Sequence, residues 1–208
     1  MEYWNELITQ KSWEVLQKLK EINFILIGGW AAYLWTKSHK SKDIDIIVDF
    51  GELEKIKNEF TLNKNDNLKK YEIKIDEVDI DIYVPFYSKL NLPVEFVIKN
   101  TTKIHGFNVV KPEILLILKQ GAEIDREGNE KGLKDRIDIM DLLLKTDINF
   151  REYKEILEKY NLKEYEKRIV SIIKNFKEIK YLKLNPREFK LKKGEILNII
   201  KKQKPNRK

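Results

Sequence analysis

Apolar residues recur at helical spacing near the start of the chain and then alternate with polar residues in several short segments. Near-helical spacing predicts an amphipathic helix, and short alternating or apolar runs bounded by turn residues predict strands. The predicted elements are helices over 3–21, 30–35 and 51–60, strands over 24–27, 44–48, 71–75 and 78–84, further strands over 93–100 and 107–110, and a polar turn over 63–67.

This order of elements predicts an α/β (α+β) fold, in which a small mixed β-sheet is flanked by helices and followed by an all-helical C-terminal region. The helical part begins with Pro112 at the first position of a helix, where proline is favoured. Turn residues interrupt it near 128–132, 149, 161 and 185–186. We expect three parts: a core over 1–110, core-associated helices over 111–145 and a basic helical region over 146–208.

Composition narrows the classes of protein to which the chain can belong. Of its 208 residues, 42% are hydrophobic, which is enough for a folded core, and none is cysteine. The lack of cysteine excludes disulfides and thiolate metal ligands. No apolar run approaches the roughly 20 residues that cross a membrane. We therefore expect a cytoplasmic protein without a membrane partner.

Charge is divided unevenly along the chain. The net charge is +7, made up of −4 in residues 1–150 and +11 in residues 151–208. An acidic first part favours a cation site, and a basic last part favours a surface that faces a polyanion such as RNA. The alternative is that the lysine-rich helices are simply well solvated.

Pairs of aspartates interrupt two of the predicted strands. Asp43 and Asp45 are two residues apart, as are Asp79 and Asp81, so each pair shares one face of its strand while isoleucines occupy the other. Adjacent strands of this kind would gather like charges that repel each other unless a cation compensates them. Hard carboxylate oxygens favour Mg²⁺.

A diglycine turn precedes the first aspartate pair. Gly28 and Gly29 follow a short apolar strand and precede a helix. Such a turn lets backbone N–H groups approach a phosphate, and the helix N-terminus adds a favourable dipole. Together with the carboxylates, it predicts a two-metal phosphoryl-transfer site.

These motifs resemble the DNA polymerase β-like nucleotidyltransferase superfamily. The resemblance is carried by GGWAAYLW, SKDIDIIV and VDIDIYVP, and by PEILLILKQGAEIDR and KGLKDRIDIMDLL downstream. The last two are similar to segments of AbiEii-type nucleotidyltransferases, and the Gly-Gly-Trp-Ala opening is shared with antibiotic-modifying members. The resemblance covers about residues 22–145.

The resemblance implies roles for individual residues. Residues 1–110 would form the catalytic core, and 111–145 would complete the active-site cleft. Asp43 and Asp45 would be metal ligands, and a third acid, Asp81 or alternatively Asp79, would help to deprotonate the acceptor hydroxyl. The residues implied to contact the nucleotide are Gly28, Gly29, Ser41, Lys119, Arg126, Lys134 and Asp135.

Each of the downstream residues also has a purely structural interpretation. The Lys119 side chain could extend from its apolar helix to solvent, and Arg126 could be an ordinary surface residue. Lys134 is spaced to form an i,i+4 ion pair with Asp138. The spacing alone does not choose between these roles and contact with a nucleotide.

The resemblance implies a Mg²⁺-dependent transfer of a nucleoside monophosphate from a nucleoside triphosphate (NTP) to an acceptor hydroxyl on RNA or tRNA, a protein or a small molecule. A role in toxin–antitoxin systems or phage defence would fit AbiEii-type relatives, with an antitoxin or a second copy of the chain as partner. Two alternatives remain: a non-catalytic nucleotide- or RNA-binding protein, and an antitoxin-like interaction partner.

Overall fold

Two compact units make up the chain, which is described from residue 5 to residue 203 by a computed structural model. The first unit extends to Lys111, and the second begins at Pro112. The first contains a seven-stranded mixed sheet with helices, and the described part of the second is helical. The predicted fold class is therefore confirmed. The functional division into 1–110, 111–145 and 146–208 stays a prediction.

In the first unit, the central strands of the sheet carry the acidic residues. The strand order is β3-β4-β5-β2-β1-β7-β6, with β2 parallel to β5 and β1 parallel to β7, while the other neighbours are antiparallel. Its elements are α1 (Glu6–Lys18), β1 (Ile25–Ile27), α2 (Gly28–Thr36), β2 (Ile44–Ile47), α3 (Phe50–Glu59), β3 (Asn63–Asn65), β4 (Lys70–Ile75), β5 (Val78–Tyr83), α4 (Val94–Ile98), β6 (Thr101–Ile104) and β7 (Phe107–Val110).

Alternation along β2 and β5 separates a buried apolar face from a polar face. Ile44, Ile46, Ile80 and Ile82 are completely buried. The residues between them in these strands, which include Asp45 and Asp81, point to the opposite face. The apolar face thus fixes the register of both strands, because a slip by one residue would bury the carboxylates.

The β4–β5 hairpin turns tightly without a glycine. Asp76 and Glu77 have φ angles of 48° and 70°, and two consecutive residues with positive φ are what a two-residue type I′ turn requires. Lys18 of α1 lies 3.1 Å from Asp76, and Lys11 lies 2.8 Å from Glu77. These ion pairs connect α1 to the turn, although exposed pairs contribute little to stability.

Two local predictions for the first unit were wrong, and a helix boundary differs. The diglycine ends β1 as predicted, but α2 begins at Gly28 itself and not at residue 30. Residues 63–67, predicted as a turn, include the edge strand β3, which pairs with β4. Residues 93–100, predicted as a strand, contain the five-residue helix α4. A short apolar run of this kind has no periodicity that distinguishes a strand from a helix.

The described part of the second unit is made of helices, some of which begin at asparagine caps. The side chains of Asn149 and Asn185 accept hydrogen bonds from the N–H groups of Glu152 and Glu188 and so cap the following helices at two of the predicted breaks. The helices are α5 (Pro112–Asp125), α6 (Glu130–Lys145), α7 (Phe150–Lys159), α8 (Glu164–Asn175) and α9 (Pro186–Lys202), with a 3₁₀ turn at Ile179–Leu182.

Among residues 5–203, none of the helices is both long enough and apolar enough to cross a membrane.

Candidate functional site

Asp45 and Asp81 are direct neighbours across the parallel strands β2 and β5. Both side chains are partly exposed on the polar face of the sheet. Asp43 lies in the bend just before β2, and its negative charge helps to raise the pKa of the Asp81 carboxyl. The structure therefore brings the predicted carboxylates Asp43, Asp45 and Asp81 into one region of the first unit.

Gly28 lies against the Asp45 carboxylate. Its φ angle is +65°, and a Cβ atom at this position would lie 2.1 Å from Oδ2 of Asp45. A side chain is thus excluded both by the backbone conformation and by the carboxylate. The close approach puts Asp45 beside the first turn of α2, where the predicted phosphate-binding residues Gly28 and Gly29 are found.

Gly28→Ala is expected to lower the free energy of unfolding by at least about 2 kcal/mol. Alanine would be strained in the left-handed backbone conformation, and its side chain would displace Asp45. Gly194→Ala is the matched control, because a Cβ at this mid-helix position would meet nothing within 4 Å. Alanine there should instead stabilise by about 0.5–1 kcal/mol. Urea denaturation measures both changes, and a neutral Gly28→Ala would contradict the described packing.

Asp81 and Asp79, the two candidates for the third acid, differ in their lysine partners and in their exposure. Asp79 lies 3.5 Å from Lys74, and its side chain is 65% exposed. The Asp81 side chain is 25% exposed and is aligned with Asp45. This geometry favours Asp81 as the third acid, and its role stays a prediction.

A lysine and a glutamate that the sequence analysis did not single out complete the polar face. Lys70 Nζ lies 2.6 Å from Oδ2 of Asp81 and 3.0 Å from Oε1 of Glu72. Glu72 is the β4 residue directly opposite Asp81. The signal available in the sequence was the alternation KYEIKI, in which Lys70, Glu72 and Lys74 share one face of β4.

The pKa shifts of this trio follow from burial and mutual contact. Burial raises the pKa of the Asp81 carboxyl, and the Lys70 ammonium offsets only part of that effect. Burial alone would lower the Lys70 pKa, but hydrogen bonds to Asp81 and Glu72 raise it. The hydrogen bond from Lys70 lowers the pKa of Glu72. Lys70 is therefore a fixed positive charge at neutral pH.

The carboxylates match Mg²⁺ in donor chemistry, because hard oxygen ligands from one or two aspartates are what this ion prefers. Asp45 and Asp81 are also aligned across adjacent strands. However, residues 5–203 contain no preassembled group of three or more His, Asp or Glu side chains able to hold a metal ion. Asp81 is instead paired with Lys70. The residues fit a divalent cation provided that Asp81 exchanges this contact.

The downstream candidates belong to the second unit, where Lys119, Arg126, Asp135 and Asp138 form a charged cluster. Lys119 Nζ lies 3.0 Å from Oδ1 of Asp135 and 2.6 Å from Oδ2 of Asp138, and all three residues are buried. Burial alone would lower the Lys119 pKa, but the two carboxylates raise it well above its usual range. Arg126 also contacts Asp135, at 3.2 Å. The Lys119 charge is thus matched within its own unit.

Ser41 and Lys134 are the predicted residues not yet located, and Trp30 lies in α2 beside the diglycine. Ser41 is buried in the segment before β2, and Lys134 is half-buried on α6. Trp30 is completely buried and donates a hydrogen bond of 2.9 Å to Ser12, so it belongs to the core. The contacts proposed for Ser41, Lys119, Arg126, Lys134 and Asp135 with a nucleotide stay predictions.

A depression of about 660 Å³ lies elsewhere on the first unit, between α3 and the edge strands β3 and β4. Tyr71 forms part of its wall. Because successive strand residues face opposite sides, Tyr71 points away from the side that carries Lys70 and Glu72. This depression is therefore separate from the carboxylates.

Solved structures of other proteins share this architecture at low sequence identity. A candidate nucleotidyltransferase from H. pylori superposes with a TM-score of 0.50 and 19% identity over 93% of each chain. The chain has the nucleotidyltransferase fold. JHP933 from Helicobacter pylori matches with a TM-score of 0.51 and 19% identity, over 95% of this chain and 93% of that one.

A longer viral protein gives a weaker match. The Megavirus polyadenylate synthase matches 66% of this chain with a TM-score of 0.48 and 15% identity, and the match spans 31% of that enzyme. No protein-family model and no curated protein matches the sequence. The predicted resemblance is confirmed for the fold, while the similarity to AbiEii-type proteins in particular stays a prediction.

Proposed function

We propose that the protein transfers a nucleoside monophosphate from an NTP to an acceptor hydroxyl and releases pyrophosphate. The observation that carries this proposal is the alignment of Asp45 with Asp81, beside Gly28, in a nucleotidyltransferase fold. The acceptor oxygen would form a bond to the α-phosphorus as the bond from that phosphorus to the bridging β-phosphate oxygen breaks. The hydroxyl proton would pass to a carboxylate, for which Asp81 is the candidate.

Asp43, Asp45 and Asp81 would hold Mg²⁺ at this site. When bound, the ions would supply charge neutralisation for the triphosphate and activation of the attacking hydroxyl. The backbone N–H groups of the Gly28–Gly29 turn would orient the phosphates, aided by the N-terminal dipole of α2. The carboxylates would orient the reacting groups and accept the proton.

The second unit carries the remaining candidate phosphate-binding cations. Arg126 is half exposed while it contacts Asp135, which leaves its guanidinium accessible to a phosphate. Lys119 and Lys134 are the other candidate cations, and Asp135 would position Lys119 and Arg126. The enclosure of Lys119 by two carboxylates supports a positioning role for it more than direct phosphate contact.

RNA is the acceptor class that the charge distribution favours. Residues 151–208 have a net charge of +11. On α9, the exposed side that faces away from Phe189, Ile196 and Ile200 carries Arg187, Lys190, Lys201 and Lys202. Such a basic surface suits a phosphate backbone and predicts strong salt dependence of binding.

One observation favours a second candidate function, that of a nucleotide-binding protein without turnover. Asp81, the candidate proton acceptor, already has a lysine partner at 2.6 Å. If Lys70 stayed in this position when the nucleotide bound, the third carboxylate would not be available for catalysis.

A label-transfer assay distinguishes the two candidates. Each labelled NTP is incubated with Mg²⁺ and with total RNA or total protein, beside an Asp43→Ala/Asp45→Ala control. We expect transfer of label to RNA that is lost in the control. NTP binding that depends on Mg²⁺ but gives no transfer would support the non-catalytic candidate. Absence of both binding and transfer would contradict both candidates.

A further inference from the structure

Lys70 occupies an unusual position for a lysine. Its side chain is only 12% exposed, and its ammonium lies between Asp81 Oδ2 at 2.6 Å and Glu72 Oε1 at 3.0 Å. Desolvating a lysine is costly unless it is paired and hydrogen-bonded. The two strands therefore enclose a positive charge directly on a candidate metal ligand, where an apolar residue would avoid that cost.

The same strands provide a second lysine–aspartate pair for comparison. Lys74 and Asp79 lie on the same face of β4 and β5, but they are 3.5 Å apart with side chains 62% and 65% exposed. Exposed pairs of this kind contribute little to stability. The close, desolvated contact is thus specific to Asp81, the residue aligned with Asp45.

A divalent cation and the Lys70 ammonium cannot occupy the same side of Asp81. Carboxylate oxygens bind Mg²⁺ at about 2.0–2.1 Å, and two positive charges at such separations repel strongly in a partly buried site. Glu72 offers the displaced ammonium another partner, because it already accepts a hydrogen bond from Lys70 and lies opposite Asp81. The site thus contains two carboxylates between which one lysine can move.

We propose that Lys70 is a positioning residue that competes with a divalent cation for Asp81 and moves onto Glu72 when the cation binds. This inference rests on the proposed function, since it assigns a metal to Asp81. Its consequence is that metal alone binds weakly, because the ammonium must first be displaced. A nucleotide that brings its own metal would supply the additional binding energy.

Binding of Mn²⁺ to the full chain tests this inference without any measurement of turnover. Free Mn²⁺ is followed by electron paramagnetic resonance in the absence of nucleotide. We expect Lys70→Met to raise the Mn²⁺ affinity on the order of tenfold, because the competing charge is removed. Lys70→Arg, which keeps the charge, should not produce this rise. Lys74→Met, the matched control, should leave the affinity within about twofold of that of the wild type.

Glu72→Gln provides an independent variant if Lys70→Met folds poorly, which thermal melting would reveal. It removes the negative charge that would attract the displaced ammonium, so Lys70 should remain on Asp81 and the Mn²⁺ affinity should fall several-fold. A merely structural role for Lys70 would not move the affinity in opposite directions in the two variants. An unchanged or lower affinity in folded Lys70→Met would overturn the inference.

The outcome also separates this inference from the proposed function. If the wild type binds Mn²⁺ and Asp43→Ala/Asp45→Ala does not, the metal site stands whatever the Lys70 variants show. If neither the wild type nor Lys70→Met shows Mn²⁺ binding that depends on Asp43 and Asp45, the metal site and the competition fail together.

Discussion

Asp45→Asn is expected to lower the rate of nucleotidyl transfer by about 10²–10³-fold, a range typical of losing one electrostatic contact to the reacting groups. Asparagine preserves the shape of the side chain that packs against Gly28 but removes its negative charge, and with it the attraction for a divalent cation. The rate is measured as initial label transfer at saturating NTP. Urea denaturation, run in parallel, should show an unfolding midpoint close to that of the wild type.

Two further substitutions assign the third acid. Asp81→Asn should lower the rate about as much as Asp45→Asn, whereas Asp79→Asn should lower it no more than a few-fold, since Asp79 is exposed beside Lys74. A larger loss for Asp79→Asn than for Asp81→Asn would assign the role to Asp79. Full activity of Asp45→Asn would contradict the proposed mechanism.

Lys119→Met is expected to destabilise the protein by about 3–5 kcal/mol, because it leaves buried carboxylates without their cation. Asp135 would retain Arg126, but Asp138 would lose its partner at 2.6 Å. Far-UV circular dichroism in urea measures the change. All four tryptophans lie within residues 4–35, so fluorescence reports whether the first unit is affected.

The control for Lys119 is Lys131→Met, an exposed substitution near the start of α6 that should change stability by less than about 0.5 kcal/mol.

The raised pKa of Lys119 also determines how its contribution to stability depends on pH. A raised pKa means that the stabilisation is fully present below the unfolded-state pKa and is lost as the pH rises through the folded-state pKa. The contribution should therefore be constant near neutral pH and disappear only in strong alkali. An unchanged stability of Lys119→Met would contradict the contribution expected from this buried ion-pair cluster.

The residues that lie on the polar face of the sheet were predictable from short sequence patterns. The two Asp-x-Asp segments and the diglycine imply which residues share a face, and the apolar alternation on β2 and β5 fixes which side they occupy. The alignment of Asp45 with Asp81 was not predictable, because it depends on which strands are neighbours and in what register. Strand order is a property of the whole sheet.

Some contacts were not predicted because they connect residues that are distant in the chain. Others were not predicted because they lie in segments with weak periodicity. Lys70 follows a polar stretch, and its partners are recognisable only once β4 is paired with β5. Lys119 and Asp135 are 16 residues apart on different helices, so local spacing suggested the Lys134–Asp138 pair instead. Residues 63–65 are polar and form a strand only because β4 offers a partner.

The register of β4 against β5 limits how this protein can diverge or be engineered. A slip of β4 by one residue against β5 would turn Lys70 and Glu72 to the other side of the sheet, while Asp45 and Asp81 stayed in place. An insertion that the loop at Asp76–Glu77 absorbs would leave this pairing intact, because lengthening a loop costs little. An insertion within β4 would instead deprive the carboxylates of their internal counter-ion without changing any charged residue.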